Sequence, residues 1–204
     1  MDPLTVKCYD EKAEDFFAIY SSLAVLAEKY LRSAFPPGSV ILDIGSGSGR
    51  DLDFLIKERY DAYGIEPSCN MRSLALSKMP HLLGRIFGGA LPNLAAQLGR
   101  KFDGILCSAV FQHIPQEQQL DAALDIRNLL KPNGRLLLSF PKDRPGLDEA
   151  GRDEKGRLYT KLIPEAVILL FERLGFQCIE DWDDGDGLGR PGFTWKTLLF
   201  RMTS

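Results

Sequence analysis

A carboxylate and a glycine-rich turn carry the clearest chemical meaning in this sequence. In the segment ILDIGSGSGR, a short apolar run containing Asp43 passes into glycines at positions 45, 47 and 49. Glycines at a strand-to-helix turn let the backbone approach a ligand closely. A carboxylate beside them disfavours a pyrophosphate and favours a ligand with an ammonium or sulfonium group. The segment predicts a site for a cationic cofactor, and a tight turn without a ligand is the alternative.

A second carboxylate, Glu66, stands at the end of the next predicted strand. There it can accept hydrogen bonds from both hydroxyls of a ribose. Residues 67–70 read PSCN, so no basic residue for a ribose phosphate follows it. Arg50 occupies the position where a dinucleotide fingerprint has its third glycine. We expect an adenosine-containing cofactor, with a surface acid as the alternative interpretation of Glu66.

Alternating strands and helices must position these side chains. Apolar runs and turn residues predict strands in SVILDIG, DAYGIE, GRIF, KFDGILCSAV and RLLLSF, with helices between them. Such alternation is typical of a mostly parallel sheet covered on both faces. A single helix is expected from Lys12 to about Ser33. After residue 140, a helix and two strands joined by the turn-rich DDGDGLGRP predict a terminal antiparallel hairpin.

Composition limits the class of protein. The 204 residues fit one domain, which we divide into a helical cap (1–37), a cofactor-binding core (38–140) and a substrate-side region (141–204). The net charge is −3 and the basic residues are scattered, so nucleic acid is not an expected partner. No apolar run is long enough to span a bilayer and no signal peptide is evident, so we expect a cytoplasmic protein. The cysteines are dispersed and there are only two histidines, so no metal site is predicted.

Four segments in order, ILDIGSGSG, GIEPS, FDGILCSAVFQHI and LLKPNGRLLLS, resemble the class I S-adenosylmethionine-dependent methyltransferases, especially their small-molecule branch. The resemblance covers about residues 38–140. It implies a Rossmann-like, doubly wound α/β fold with a seven-stranded, mostly parallel sheet, helices on both faces and a C-terminal antiparallel hairpin strand. It also implies S-adenosylmethionine as the cofactor and methyl transfer to a small-molecule acceptor.

The resemblance further assigns positions to the cofactor. The first acid and the glycine loop would hold the methionine portion, and Glu66 the ribose. Met71 would pack beside the adenosine, or else belong to the core. The expected cofactor-binding residues are Asp43, Gly45, Ser46, Gly47, Glu66, Met71, Ala90, Leu91, Cys107, Ser108 and Tyr20.

Two of these expectations involve departures or alternatives. The family often has an acid after the third strand that meets the adenine amino group, but here residues 88–92 read GGALP. Backbone groups around Ala90 would then contact the adenine edge. Tyrosines of the N-terminal helix close over the cofactor in relatives, which nominates Tyr9 and Tyr20, although Tyr20 also fits simple helix packing.

The acceptor side is less defined by the sequence. His113 is the one histidine placed to act as a base, and a hydrogen bond at a helix start is its alternative role. Methyl transfer needs chiefly alignment and exclusion of water, so a base is optional. We expect the loops after RLLLSF and after CIEDW to contact the substrate, with most of their charged residues solvated. The competing functions are a non-catalytic cofactor-binding domain and an NAD-dependent oxidoreductase.

Overall fold

Seven strands form one sheet in the computed structural model, which describes residues 1–203 apart from the side chains of residues 26, 27 and 32. The strand order is β3-β2-β1-β4-β5-β7-β6, and β7 runs antiparallel to both of its neighbours. This confirms the predicted doubly wound sheet with its C-terminal hairpin. The strands are β1 (Val40–Ile44), β2 (Asp61–Ile65), β3 (Ile86–Phe87), β4 (Phe102–Ser108), β5 (Leu130–Asp143), β6 (Phe176–Gly185) and β7 (Thr194–Met202).

Helices flank the sheet, and none of those within residues 1–203 is long and apolar enough to cross a bilayer. The five that accompany the sheet are α4 (Arg50–Lys57), α5 (Cys69–Lys78), α6 (Leu94–Leu98), α7 (Gln119–Leu129) and α8 (Pro164–Arg173). Before the first strand stand α1 (Pro3–Glu11), α2 (Ala13–Ser21) and α3 (Leu26–Ala34).

The N-terminal region differs from the single helix predicted between Lys12 and Ser33. Helix α1 begins at Pro3, where Asp2 caps it by accepting a 2.8 Å hydrogen bond from the Thr5 amide. The predicted helix is divided into α2 and α3, and the Ser22 hydroxyl donates to the Ile19 carbonyl, 2.7 Å away, where α2 ends. Apolar periodicity alone did not reveal this break between the two helices.

Alternate residues along the strands build an apolar core on each face of the sheet. Leu42 and Ile105 belong to the cluster that packs against α7, whereas Ile41 and Leu106 belong to the cluster that includes Leu52 of α4. These residues are fully buried. Because both faces are covered, the carboxyl ends of the strands are where the parallel part of the sheet can meet a ligand.

Candidate active site

A cavity of about 370 Å³ lies at the carboxyl ends of β1, β2 and β4. Strands β1 and β4 are neighbours there, and the chain crosses to opposite sides of the sheet from them, which is where ligands bind in open α/β folds. The cavity brings together most of the predicted site residues. These are Tyr20, Asp43, Gly45, Ser46, Gly47, Glu66, Met71, Ser108 and His113.

Three predicted cofactor contacts do not line this cavity. The side chains of Cys107 and Leu91 are buried in the apolar core, 0% and 1% exposed, and Ala90 is half-buried. Cys107 pairs with Ile44 in the parallel register of β4 and β1, so its side chain joins the same apolar core cluster as that of Ile44. Burial also raises the pKa of the Cys107 thiol, which keeps it protonated.

Asp43, near the end of β1, is buried with an incomplete set of hydrogen bonds. Its Oδ2 has no hydrogen-bond partner among the described residues. Burial raises the pKa of this carboxyl well above its usual range, and the negative charge of Asp51 adds to the effect. A buried oxygen of this kind costs stability unless a ligand or water satisfies it. A cationic group in the cavity would do so and would restore the ionised form.

Glu66 follows β2 and is held by two backbone amides. Its Oε2 accepts from the Gly47 amide at 3.0 Å and its Oε1 accepts from the Ser68 amide at 2.9 Å. Desolvation is the largest influence on its carboxyl and raises the pKa. Since a carboxylate oxygen can accept more than one hydrogen bond, both oxygens keep capacity for a ligand. The two amides therefore fix the orientation in which Glu66 meets a pair of hydroxyls.

The glycine at position 45 is required by the local geometry. Its φ is +73°, and its amide donates to the Ile65 carbonyl at 2.7 Å, which turns the chain away from β1. A Cβ at this position would stand 2.2 Å from Cγ2 of Val110. Both the backbone angle and this contact disfavour a side chain at position 45, and the glycine lets the loop pass close to the cavity.

Arg50, the first residue of α4, is a cavity residue that our sequence interpretation used only to reject a dinucleotide site. One of its terminal nitrogens donates to the Tyr20 carbonyl at 3.0 Å and the other to Asp51 at 2.6 Å. Its Nε lacks a partner within the described part of the chain, as does the buried Ser46 hydroxyl. We call Asp43, Ser46, Arg50 and Glu66 the strand-end wall. The signal for Arg50 was its position directly after the last glycine.

A second part of the cavity lining is built from segments far apart in sequence. Arg157 donates to the hydroxyls of Tyr20 and Tyr9, at 2.9 and 3.1 Å, and the Tyr9 hydroxyl lies 3.2 Å from Nε2 of His113. With Gln112, which precedes the histidine in a short 3₁₀ turn, these residues form what we call the loop wall. Tyr9 was predicted as a closing tyrosine together with Tyr20, and the two hydroxyls are 3.3 Å apart.

His113 is buried and its hydrogen bonds define its tautomer. Nδ1 is 2.5 Å from the Leu158 carbonyl, which can only accept, so Nδ1 carries the proton. Nε2 is then an acceptor, within reach of the Tyr9 hydroxyl and of Gln112 Nε2 at 3.3 Å. Burial lowers the pKa of the imidazole to about 4. At neutral pH this histidine is uncharged and is a weak base.

Arg157 and Asp153 are buried exceptions in a loop whose other charged residues are exposed or half-buried, as expected. The Arg157 side chain is 7% exposed and Asp153, its partner at 2.6 Å, is 1% exposed. Asp153 also accepts from the Arg157 amide at 3.0 Å and from Arg144 at 3.1 Å. These bonds compensate the desolvation of the pair, so the loop can fold inward over the cavity. In the turn between β6 and β7, Asp186 and Arg190 form a second ion pair, with 2.6 Å between the charged atoms, and both residues line the same cavity.

Comparison with known proteins agrees with this architecture. Residues 17–181 match the methyltransferase domain family. The chain belongs to this methyltransferase family. The match includes both carboxylates of the strand-end wall, and it confirms the family that the four ordered motifs indicate.

Individual methyltransferases show how far the similarity extends. An uncharacterised methyltransferase of Anoxybacillus flavithermus is 30% identical over 135 residues, which are 64% of this chain and 58% of that protein, less than two thirds of its length. A second, from Geobacillus sp. strain WCH70, is 27% identical over 97% of this chain and 80% of its own. The crystal structure of 1,6-didemethyltoxoflavin-N1-methyltransferase from Burkholderia thailandensis, with bound 1,6-didemethyltoxoflavin and S-adenosylhomocysteine, has a TM-score of 0.73 and 19% identity. It covers 98% of this chain and 88% of that protein.

The methyltransferase cavity combines acidic, basic and hydroxyl side chains in its lining. Within residues 1–203, no three histidine, cysteine, aspartate or glutamate side chains are grouped closely enough to hold a metal ion. In the strand-end wall, backbone amides hold Glu66, while Asp43 Oδ2 and Arg50 Nε have no hydrogen-bond partner among the described residues. The arrangement can receive cationic, hydroxyl and carboxylate groups at separate positions.

Proposed function

We propose that this chain is an S-adenosylmethionine-dependent methyltransferase that acts on a small-molecule acceptor. The observation that carries the proposal is the buried carboxylate of Asp43, with its unpartnered Oδ2, beside the oriented carboxylate of Glu66 in one cavity. Family membership supports the same reaction class. An oxidoreductase that binds a dinucleotide would have to place a pyrophosphate beside Asp43, which is electrostatically unfavourable.

The unpartnered polar groups of the strand-end wall match the amino-acid and ribose parts of this cofactor. Asp43 would accept from the ammonium group, Arg50 Nε would donate to the carboxylate, and Glu66 would accept from the ribose hydroxyls. When bound, S-adenosylmethionine supplies a methyl group on a positively charged sulfur, ready for transfer to a nucleophile. We also assign Gly45, Gly47, Met71, Ser108 and Tyr20 to this cofactor site.

The chain's own contribution to the reaction is binding, alignment and exclusion of water. The tyrosines of the loop wall and the loops that follow β5 and β6 enclose the acceptor side of the cavity. We assign His113 a positioning role rather than that of the base, because its Nδ1 proton is committed to Leu158 and its pKa is about 4. Alignment in a dry cavity can supply most of the rate enhancement that such a transfer needs.

The remaining expectations complete the proposal. We propose that residues 1–204 act as one domain, with the helical region 1–37 and the segment 141–204 covering the core formed by residues 38–140. A cytoplasmic location is proposed as well. In the structurally similar Burkholderia thailandensis enzyme the bound substrate is 1,6-didemethyltoxoflavin, a small molecule, which is the class of acceptor proposed for this chain.

Calorimetric titration with S-adenosylhomocysteine, with NAD as the parallel ligand, tests the cofactor. We expect binding of S-adenosylhomocysteine and no binding of NAD, because the carboxylates of Asp43 and Glu66 accept from ammonium and hydroxyl groups and would repel a pyrophosphate. Binding of NAD alone would overturn the proposal. Binding of S-adenosylhomocysteine without any methyl transfer to an acceptor library would instead identify a non-catalytic domain.

A further inference from the structure

Gln112 is a buried amide in the cavity wall with one unused oxygen. The residue is 2% exposed and lines the cavity between the end of β4 and His113. Its Oε1 makes no hydrogen bond to any group in the part of the chain that the structure describes. An amide oxygen left in this state costs about 1–3 kcal/mol. Such a group in a cavity points to a ligand that supplies the missing donor.

The hydrogen bonds around His113 determine which end of the amide is free. The Leu158 carbonyl fixes the proton on Nδ1, so Nε2 can only accept. Gln112 must therefore present its NH₂ group to His113 Nε2, 3.3 Å away. The opposite orientation would place two acceptors against each other. The free end of Gln112 is thus a carbonyl oxygen, which recognises N–H or O–H groups and not a second acceptor.

Aromatic side chains line the same cavity as Gln112. Tyr9, Tyr20, Tyr159 and Trp195 line the same cavity, and the Tyr159 and His113 rings meet edge to face with centroids 4.8 Å apart. The hydroxyls of Tyr9 and Tyr20 are turned to Arg157, as their hydrogen bonds show. Tyr20 stacks on Phe16 with ring centroids 5.7 Å apart, and the Arg144 guanidinium lies 4.5 Å from the centre of the Tyr159 ring. Within the described residues no ring or cation stacks on the Trp195 indole, so its face is available to a ligand and favours a flat molecule.

We propose that Gln112 Oε1 accepts a hydrogen bond from an N–H or O–H group of the methyl acceptor, which is a planar aromatic or heteroaromatic molecule. This inference rests on the proposed methyltransferase function and names its class of substrate. It makes Gln112 a specificity-determining residue and gives His113 the part of holding the amide in the recognising orientation.

The test compares paired flat probes on protein saturated with S-adenosylhomocysteine. The pairs are indole with 1-methylindole and 2-naphthol with 2-methoxynaphthalene, which differ in one donor. Dissociation constants from calorimetry or ligand-observed NMR should favour the N–H or O–H member by roughly three- to tenfold in the wild-type protein. Gln112→Met, which keeps the length of the side chain and removes the carbonyl, should bring the ratio to about one.

Two further variants separate recognition from a structural effect. Gln112→Glu in its protonated form donates to His113 and keeps a carbonyl oxygen, so it should retain the preference for the donor-bearing probe. Gln116→Leu alters an exposed glutamine of the same loop and should leave the ratio at its wild-type value. The melting temperature of each variant shows whether it is folded.

The outcomes distinguish this inference from the proposed function. Failure of S-adenosylhomocysteine to bind would reject the methyltransferase assignment. With S-adenosylhomocysteine bound, three results would reject the role of Gln112 while leaving that assignment intact. These are no binding of any probe, equal binding of both members of each pair by the wild-type protein, and a preference that persists in Gln112→Met. If Gln112→Met does not fold, the role of Gln112 is still tested by the ratio of dissociation constants in the wild-type protein and in the Gln112→Glu variant.

Discussion

The two walls of the cavity satisfy their polar groups in opposite ways. The strand-end wall holds buried atoms that lack protein partners in the described chain, including Asp43 Oδ2, the Ser46 hydroxyl and Arg50 Nε. In the loop wall, Arg157 is paired with Asp153 and also donates to Tyr9 and Tyr20. One wall needs a ligand to complete its hydrogen bonds, whereas the other, except for Gln112, completes them within the protein.

This difference separates groups that hold the fold from groups that hold a ligand. Each buried polar atom without a partner costs about 1–3 kcal/mol, so the strand-end wall lowers the stability of the free protein. In the buried pair of Asp153 and Arg157, the attraction between the charges offsets the cost of removing them from water only while both partners are present. A substitution in the strand-end wall should therefore weaken cofactor binding without lowering the stability of the protein. Loss of the ion pair in the loop wall should instead lower the free energy of unfolding.

Loss of Asp153 should produce the largest effect on stability. Asp153→Ala leaves the Arg157 guanidinium buried without its counter-ion, which we expect to lower the free energy of unfolding by about 3–5 kcal/mol in denaturant titrations. The exposed pair of Lys7 and Glu11, 3.6 Å apart, is the matched control, and Glu11→Ala should cost under about 0.5 kcal/mol. Equal costs for both substitutions would show that the loop wall does not depend on its ion pair.

His113 should make the stability of the loop wall depend on pH. Its pKa falls from 6.5 in the unfolded chain to about 4 in the folded protein, so the unfolded state binds more protons between these values. Stability is therefore lost as the pH falls from 6.5 toward 4, by up to about 3 kcal/mol. Unfolding of the wild-type protein and of His113→Gln across this range measures the contribution.

The variant should lose this part of the pH dependence, whereas Tyr9→Phe should keep it because the imidazole stays buried. A difference between wild type and His113→Gln that does not change with pH would contradict the burial of a neutral His113. The same result would also remove the basis for its fixed tautomer.

Substitution of Asp43 should separate affinity from stability. Asp43→Asn removes the charge that faces the cofactor, and we expect S-adenosylhomocysteine to bind more weakly by about 1.5–3 kcal/mol. The free energy of unfolding of the ligand-free protein should stay the same or rise, since an uncompensated buried carboxyl is replaced. Calorimetry and denaturant titration give the two values.

Glu66→Gln and Asp61→Asn extend this experiment. Glu66→Gln should weaken binding by a similar amount, because the amide can accept at only one of its two ends. Asp61→Asn, at a partly exposed ion pair with Arg85 outside the cavity lining, should leave affinity unchanged. If Asp43→Asn lost as much stability as Asp153→Ala, the claim that only the loop wall stabilises the fold would be wrong.

Substitution of Gly45, where the glycine loop contacts the segment that carries Gln112, should have the smallest of these effects, a moderate loss of stability. Gly45→Ala places a Cβ against Val110 Cγ2 and keeps a positive φ, which we expect to cost about 1–3 kcal/mol of stability. The double variant Gly45→Ala with Val110→Ala removes the contact and should recover part of that cost. No recovery would mean that backbone strain alone excludes a side chain there.

The positions of Asp43, Ser46 and Glu66 in the strand-end wall could be predicted because the sequence signals for them are local, whereas Arg50 was not assigned to the site. Asp43 and Glu66 each stand at the end of a short apolar run, and parallel strands bring such ends together. The sheet, its order of elements and the family were confirmed for the same reason. The roles of the individual residues remain predictions, and Ala90, Leu91 and Cys107 do not line the cavity although the resemblance assigned them to the cofactor.

The loop wall could not be assembled from the sequence because it depends on distant contacts. Tyr9 and Arg157 are separated by most of the chain, and their hydrogen bond exists only when the segment after β5 folds over α1. The segment from Pro141 to Arg157 is rich in charge, and such composition favours solvent. Only the pairing of Asp153 with Arg157 shows why part of it is buried.

The position of β7 has a consequence for synthesis of the chain. This strand lies between β5 and β6, both of which leave the ribosome before it. Until residues 194–202 emerge, the edge of β5 that contains the leucines at 136–138 has no neighbouring strand to pair with. Open apolar edges pair with other chains, so a stalled or truncated nascent chain would be prone to aggregate. Once β7 has emerged and paired with β5, this edge is no longer available to other chains and the risk of aggregation falls.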